Sequence, residues 1–110
     1  MRAALGIPPD ATVFGRHGGE RSFDIAFAQR AVLRVAAERA DVYFVLVATA
    51  PFCDGARDSR AMPNVIHLPA CDNGAALSRF VRTCDAMLHA KADGETFGLS
   101  VADFAAHGRP

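Results

Sequence analysis

The 110-residue sequence has no excess of either charge, no long apolar run and few cysteines. Twelve Lys and Arg residues balance twelve Asp and Glu residues, so the chain lacks the basic surplus with which proteins bind nucleic acid or anionic membranes. Its longest apolar stretch, around residues 42–52, is far shorter than the roughly 18 residues of a membrane-spanning helix. We therefore expect no nucleic-acid partner and no integral membrane segment.

The three cysteines, Cys53, Cys71 and Cys84, are odd in number, widely spaced and without a C-x-x-C pair. Such cysteines suit a reducing compartment, where each is expected to act as a small apolar side chain. The first apolar run is too short for a signal peptide and is interrupted at Pro8. We therefore expect a cytoplasmic domain without a metal site of the Cys–His kind.

The sequence does contain enough apolar residues for one core, since 51% are hydrophobic and 22% are charged. It has no internal repeat and no linker, so we assign residues 1–110 to a single domain. Its hydrophobic pattern alternates between strand-like and helix-like segments. The predicted elements are strands at 12–15, 42–48, 65–68 and 85–89, and helices at 23–39, 73–83 and 96–107.

The second predicted strand consists of seven apolar residues without alternation, which is typical of a strand buried on both faces of a parallel sheet. We therefore predict a Rossmann-like, three-layer α/β/α fold with a parallel sheet of about four strands. Ser22 is predicted to cap the first helix, and Gly108 to terminate the last one. Because a further strand would ordinarily follow that helix, we expect the chain to be a fragment of a longer protein.

The loop after the first predicted strand is a candidate phosphate site, because ligands of open parallel sheets bind beyond the carboxyl ends of the strands. It contains Gly18 and Gly19 between Arg16 and Arg21. Glycines allow the backbone to approach a ligand closely, and guanidinium groups hold phosphate oxygens in a bidentate manner. The spacing matches neither the dinucleotide-binding nor the Walker pattern, so on these residues alone a structural turn is the simpler interpretation.

The loop before the last predicted helix is more informative. The amides of Phe97, Gly98 and Leu99 are placed where a helix start leaves them unpaired, which creates an anion site. Glu95 lies just before this helix, and Asp103 lies eight residues further on, where its carboxylate can reach back toward a ribose. The alternative interpretations are that Glu95 only compensates the helix dipole and that Asp103 is a solvated helix position.

Residues 94–110 resemble the carboxylate-x7-carboxylate segment of retaining GT-B glycosyltransferases, a large group that includes sucrose, glycogen and mannosyl transferases. In that family a Glu precedes Phe-Gly, the following helix carries a second Glu, and the segment closes with Gly-x-Pro. The family also carries Gly-Arg after the first strand, with a Lys five residues beyond the Arg. Here Gly15 and Arg16 fit, Arg21 stands at the lysine position, and Asp103 stands at that of the second glutamate.

This resemblance implies that the chain is the C-terminal, donor-binding half of a GT-B enzyme, without the N-terminal acceptor domain. Glu95 would hydrogen-bond the donor sugar, and Asp103 would bind the ribose hydroxyls. Arg16 and Arg21 would neutralise the departing diphosphate, and the amides of residues 97–99 would bind its distal phosphate. The other expected donor-binding residues are Gly18, Gly19 and His89.

The implied reaction transfers a hexose, with retention, from a nucleotide diphosphate sugar to an acceptor hydroxyl, and the isolated half would turn over little or nothing. No metal or other cofactor is implied, because amide dipoles and guanidinium groups can stabilise the leaving group and the sequence has no Asp-x-Asp motif. The alternative is a non-catalytic nucleotide-binding or interaction domain. Glycine spacing disfavours a dinucleotide-binding half-domain, and Arg16 stands where a phosphoacceptor receiver would need an acidic residue.

Overall fold

The backbone, described for residues 1–110 in a computed structural model, forms six strands and three α-helices. The strands are β1 (Thr12–His17), β2 (Val42–Val47), β3 (Cys53–Asp54), β4 (Arg57–Asp58), β5 (Val65–Leu68) and β6 (Ala86–Met87). The helices are α1 (Ala26–Glu38), α2 (Gly74–Thr83) and α3 (Leu99–Ala106), with 3-10 turns at Ala3–Leu5 and Ser59–Ala61. None of the helices combines the length and the apolar character needed to cross a membrane.

Four strands form a parallel sheet in the order β5-β2-β1-β6. β1 and β2 pair over their whole length, from Thr12 opposite Val42 to His17 opposite Val47. β6 pairs beside β1 over only two residues, so the last predicted strand is shorter than expected. β3 and β4 form a separate antiparallel hairpin in a segment where no strand was predicted. The predicted parallel sheet of about four strands is confirmed, and its carboxyl ends share one edge.

β2 lies between two cores, one on each face of the sheet. Val45 and Val47 pack with side chains of α2 and α3, whereas Phe44 and Leu46 pack with side chains of α1. Full burial of each such side chain contributes roughly 1.5–3 kcal/mol to the free energy of unfolding. The packing of β2 therefore stabilises the contact of the sheet with the helices on both of its faces. The predicted three-layer, Rossmann-like arrangement and its doubly buried strand are confirmed.

α1 begins at Ala26, later than predicted, and Ser22 does not cap it. The residue at its N-cap position, Ile25, makes no side-chain hydrogen bond to the helix. The Ser22 hydroxyl instead donates to the Gly19 carbonyl at 2.7 Å and accepts from an Arg16 guanidinium nitrogen at 2.6 Å. The prediction of a Ser22 cap is wrong because this hydroxyl closes the turn after β1.

α3 also begins later than predicted, at Leu99, because Gly98 adopts a left-handed φ of +78° just before it. A residue in that conformation cannot belong to a right-handed helix. At the other end, Gly108 has a φ of +66°, and its amide donates to the Ala105 carbonyl at 2.9 Å. The predicted glycine termination of the last helix is confirmed.

The three cysteines are free thiols in different surroundings. Cys84 is fully buried, as predicted, and burial raises the pKa of its thiol to about 12. Its sulfur lies against β1, where a Cβ on Gly15 would overlap it, so packing requires this glycine. Cys53 is exposed in the β3–β4 hairpin. The prediction that it fills apolar space is therefore wrong, because the polar hairpin leaves it in solvent.

Candidate functional site

A cleft of about 470 Å³ opens at the carboxyl edge of the sheet, between the end of β1 and the start of α3. Its lining includes two carboxylates, Glu95 and Asp103, and two glycines, Gly18 and Gly98. A neighbouring cleft of about 260 Å³, beside the start of α2, shares His17 and Gly18 with it. Parallel sheets bind ligands at this edge, so the cleft lies where the fold favours a site.

The amides at the start of α3 have no acceptor within the protein. Those of Phe97, Gly98 and Leu99 donate to neither backbone nor side chain, and all three residues line the cleft. The first bond of the helix runs from the Ala102 amide to the Gly98 carbonyl at 3.0 Å. Free amides and the positive end of a helix dipole together attract an anion. The structure therefore brings the predicted phosphate-binding amides to the cleft with their donors free.

Glu95 lies at the mouth of the cleft with a third of its side chain exposed. One carboxylate oxygen is 3.7 Å from His89 Nε2, and the other is 3.8 Å from Lys91 Nζ. Both basic groups approach the carboxylate from the loop that precedes it. The side of the carboxylate that faces the cleft is therefore open to hydroxyl donors. This placement is compatible with the predicted contact to a donor sugar.

Asp103 faces His17 across the cleft, with its Oδ2 3.3 Å from His17 Nε2. The imidazole packs edge-on against Phe80 and parallel to Phe104. Burial lowers the pKa of His17 below its ordinary value, while the Asp103 carboxylate opposes this shift and the Arg16 guanidinium adds to it. The imidazole is therefore neutral at neutral pH and has one N–H to donate.

The side chain of Arg16 is turned into the protein, and the residue is only 2% exposed. Its Nη1 donates to Thr49 Oγ1 at 2.8 Å and its Nη2 to Ser22 Oγ at 2.6 Å, while its Nε is buried without a partner. Burial lowers the pKa of Arg16, and Asp24 and Glu95 oppose that shift. Because the guanidinium is buried, a phosphate in the cleft would reach it only after the surrounding residues moved. Arg16 thus adds positive potential to the cleft without lining it.

Arg21 and Gly19 lie on the exposed side of the turn after β1 and do not line the cleft. Arg21 forms no hydrogen bond or ion pair, so its guanidinium is free to move. Gly18 does line the cleft, and a Cβ there would lie 3.3 Å from Arg16 Nη2. Of the four residues predicted in this loop, only Gly18 borders the candidate site.

A larger groove of about 780 Å³ lies on the α1 face of the sheet and is lined mainly by apolar side chains. His89, a predicted donor-binding residue, lines this groove and meets the cleft only through Glu95. Phe27 stands at the groove and is 68% exposed. Because the free amides of residues 97–99 line the smaller cleft and not this groove, we place the candidate site in the smaller cleft.

Two residues near the site were missed by sequence reasoning. Lys91, four positions before Glu95, contacts its carboxylate. The only feature of the sequence that marks this residue is that it is the single lysine of the chain. Thr49 holds Arg16 from the loop after β2, and no sequence pattern links the two residues. A lysine beside the Glu95 carboxylate limits the net negative charge that an incoming anion would meet.

No group of three or more His, Cys, Asp or Glu side chains is arranged so that it could hold a metal ion. Comparisons of the chain with protein-family models, curated proteins and solved structures find no match. The functional assignment therefore depends on the geometry of the cleft and on the motif resemblance described above.

Proposed function

We propose that the chain is the donor-binding domain of a retaining GT-B glycosyltransferase. One observation carries this proposal: the free amides of residues 97–99 line the same cleft as Glu95 and Asp103, at the carboxyl edge of a parallel sheet. A nucleotide diphosphate sugar has three polar parts, and the cleft offers a group for each. The amides suit a phosphate, Glu95 suits sugar hydroxyls, and Asp103 suits ribose hydroxyls.

The proposed chemistry is stabilisation of a leaving group. When the bond between the sugar and the diphosphate breaks, negative charge grows on the phosphate oxygen. Fixed amide dipoles at the start of α3 then interact more strongly with the transition state than with the bound donor, which lowers the barrier. Arg16 contributes positive potential from its buried position, and Arg21 is the free guanidinium that can approach the diphosphate. The acceptor hydroxyl would come from a second domain, so we expect negligible turnover by this chain alone.

A titration of the 110-residue chain with ADP, GDP, UDP and the corresponding glucose conjugates tests the proposal. We expect at least one diphosphate to bind, with amide NMR shifts concentrated at residues 97–99. Glu95→Gln should weaken binding of the sugar conjugate more than binding of the bare diphosphate. The expected difference is about tenfold in affinity, as for loss of a charge-assisted hydrogen bond. The control is Asp54→Asn, which removes an exposed carboxylate in the β3–β4 hairpin. It should leave the affinities for the diphosphate and for its sugar conjugate unchanged.

Two results would contradict the assignment. Absence of binding by every diphosphate would remove the donor site altogether. An equal loss of affinity for the bare and sugar-bearing ligands in Glu95→Gln would remove the role given to that carboxylate.

A non-catalytic interaction domain is the second candidate, and the exposed Phe27 at the apolar groove favours it. Large exposed apolar surfaces commonly mark contacts with other proteins or other domains. The same titration separates the two candidates, because an interaction domain of this kind needs no diphosphate. Phe27→Ser would then change self-association or partner binding while leaving the amides at α3 unaffected.

A further inference from the structure

The ring of His17 occupies a fixed position at the end of β1. Its centroid lies 6.0 Å from that of Phe80 and 6.1 Å from that of Phe104, and its side chain is 17% exposed. It lines both the cleft at α3 and the neighbouring cleft at α2. Aromatic packing therefore holds the imidazole at the boundary between the two clefts, and its polar atoms have little freedom to move.

The carboxylate of Asp103 faces His17, with its Oδ2 3.3 Å from Nε2. This nitrogen is buried, and in this structure its ring geometry forms no hydrogen bond with Asp103 or with any other atom, although Oδ2 is within reach. An unpaired buried nitrogen of this kind calls for a partner. The Asp103 carboxylate, in turn, has no other partner and is 38% exposed, so it can still meet a ligand. Arg16 on the same strand is the other charged group that acts on the imidazole, while Glu95 and Asp72 border the adjoining clefts.

We infer that His17 is a positioning residue for Asp103: a small rotation of the half-exposed carboxylate brings Oδ2 into line with Nε2–H, and this bond fixes the carboxylate so that its other oxygen accepts the ribose hydroxyls of the donor. This inference rests on the proposed function, since ribose is the ligand assigned to Asp103. A neutral ring has a single N–H, and a carboxylate facing Nε2 favours the tautomer with the proton on that atom. An unheld aspartate would have to lose side-chain freedom on binding, which weakens ribose recognition.

The tautomer can be measured without any ligand. In the ¹⁵N spectrum of the imidazoles, we expect His17 to be neutral at about pH 7 with the proton on Nε2. Asp103→Asn should shift both ring nitrogen signals of His17 and leave those of His67, which bonds to Thr49 and Ser59, unchanged. A proton on Nδ1, or no response to Asp103→Asn, would overturn the inference.

Ligand discrimination tests the functional consequence. Ribonucleoside diphosphates are compared with their 2′,3′-dideoxy analogues, for wild type, His17→Phe and His17→Gln. His17→Phe keeps an aromatic ring between Phe80 and Phe104 but has no hydrogen-bond donor. We expect it to lose about threefold to tenfold in affinity for the ribonucleotide only, which corresponds to the entropic cost of immobilising one side chain. His17→Gln retains an N–H donor and should recover part of the discrimination. Thermal unfolding confirms that each variant is folded.

The outcomes separate this inference from the proposed function. If the wild-type chain binds a ribonucleotide better than its dideoxy analogue, and His17→Phe does so equally well, only the role of His17 is wrong. An equal loss for both ligands in His17→Phe also overturns it, because a general packing defect would act on both. If the wild-type chain binds neither ligand, the proposed function and this inference fail together.

Discussion

Two loops meet at the carboxyl edge of the sheet, and both carry groups that suit a phosphate. Where β1 leads into the first of these loops, the Arg16 guanidinium donates to Thr49 and Ser22 and is almost fully buried. In the loop before α3, the three amides at residues 97–99 donate to nothing. The donors of Arg16 therefore hold the protein fold together, whereas the amides before α3 are free to meet a ligand.

This difference indicates which residues support the site and which would touch a ligand. Loss of a buried hydrogen bond is costly because the groups left without a partner remain desolvated, so Arg16 and Thr49 stabilise the fold. A free amide at a helix start is satisfied by water until an anion replaces it, so the second loop gives up little stability in order to bind. Variants in the two loops should therefore fail in different assays.

Arg16→Leu should have the largest effect on stability. It removes the donors to Thr49 and Ser22, leaves the buried Thr49 hydroxyl without the arginine and vacates the space of a buried side chain, a loss of about 2–4 kcal/mol in the free energy of unfolding. Urea denaturation measures this change. Arg30→Leu, on the exposed face of α1, is the matched control and should stay within about 0.5 kcal/mol of wild type. Equal stability of the two variants would show that Arg16 is not part of the scaffold.

Gly98→Ala should affect both stability and binding. A non-glycine residue at a φ of +78° is strained by about 1–2 kcal/mol, and relief of that strain would re-aim the amides at the start of α3. We expect lower stability in urea and loss of the diphosphate-induced amide shifts. Gly74→Ala is the control, since a Cβ there meets nothing within 4 Å and alanine is the better helix former at this position. A fully stable Gly98→Ala that still binds diphosphate would contradict the assigned backbone role.

The parts of the fold that the sequence predicts correctly depend on local patterns. The uninterrupted apolar run of β2 implies burial on both faces, and a glycine after the last helix implies its left-handed termination at Gly108. The free amides at the start of α3 belong to the same class, because any helix start leaves such donors. These features need no knowledge of distant residues.

The parts that the sequence does not predict depend on partners far away along the chain. The inward orientation of Arg16 is set by Thr49, which is 33 positions away in another loop. Ser22 fails to cap α1 because Arg16 and Gly19 occupy its hydroxyl. Gly15 fits the Gly-Arg pair of the resembled family, but in the structure packing requires a glycine there, because a Cβ would overlap the sulfur of Cys84. Side-chain choices between competing partners are decided by packing, which a linear pattern does not contain.

A smaller effect should appear in the pH dependence of stability. Because burial lowers the pKa of His17 in the folded protein, its neutral form is favoured there. This contribution to stability is fully present above the unfolded pKa of about 6.5, and it is lost as the pH falls through the lower, folded pKa. Urea midpoints between about pH 7 and about pH 5 should therefore fall less steeply for His17→Phe than for wild type. Identical slopes would show that the imidazole is not buried as described.

The smallest change in stability is expected for Arg21→Ala, which sharpens the contrast within the first loop. Arg21 forms no ion pair and is exposed, so the free energy of unfolding should stay within about 0.5 kcal/mol of wild type. Its guanidinium is free to meet a diphosphate, and its removal should weaken diphosphate binding by about twofold to fivefold, as expected for an exposed ion pair. The loss should shrink at high salt, because mobile ions screen an exposed charge.

Arg57→Ala, in the β3–β4 hairpin, removes the same charge far along the chain from the cleft and should leave affinity unchanged. If both variants weaken binding equally, net charge rather than Arg21 attracts the diphosphate, and the first loop would then contribute structure and long-range potential but no contact.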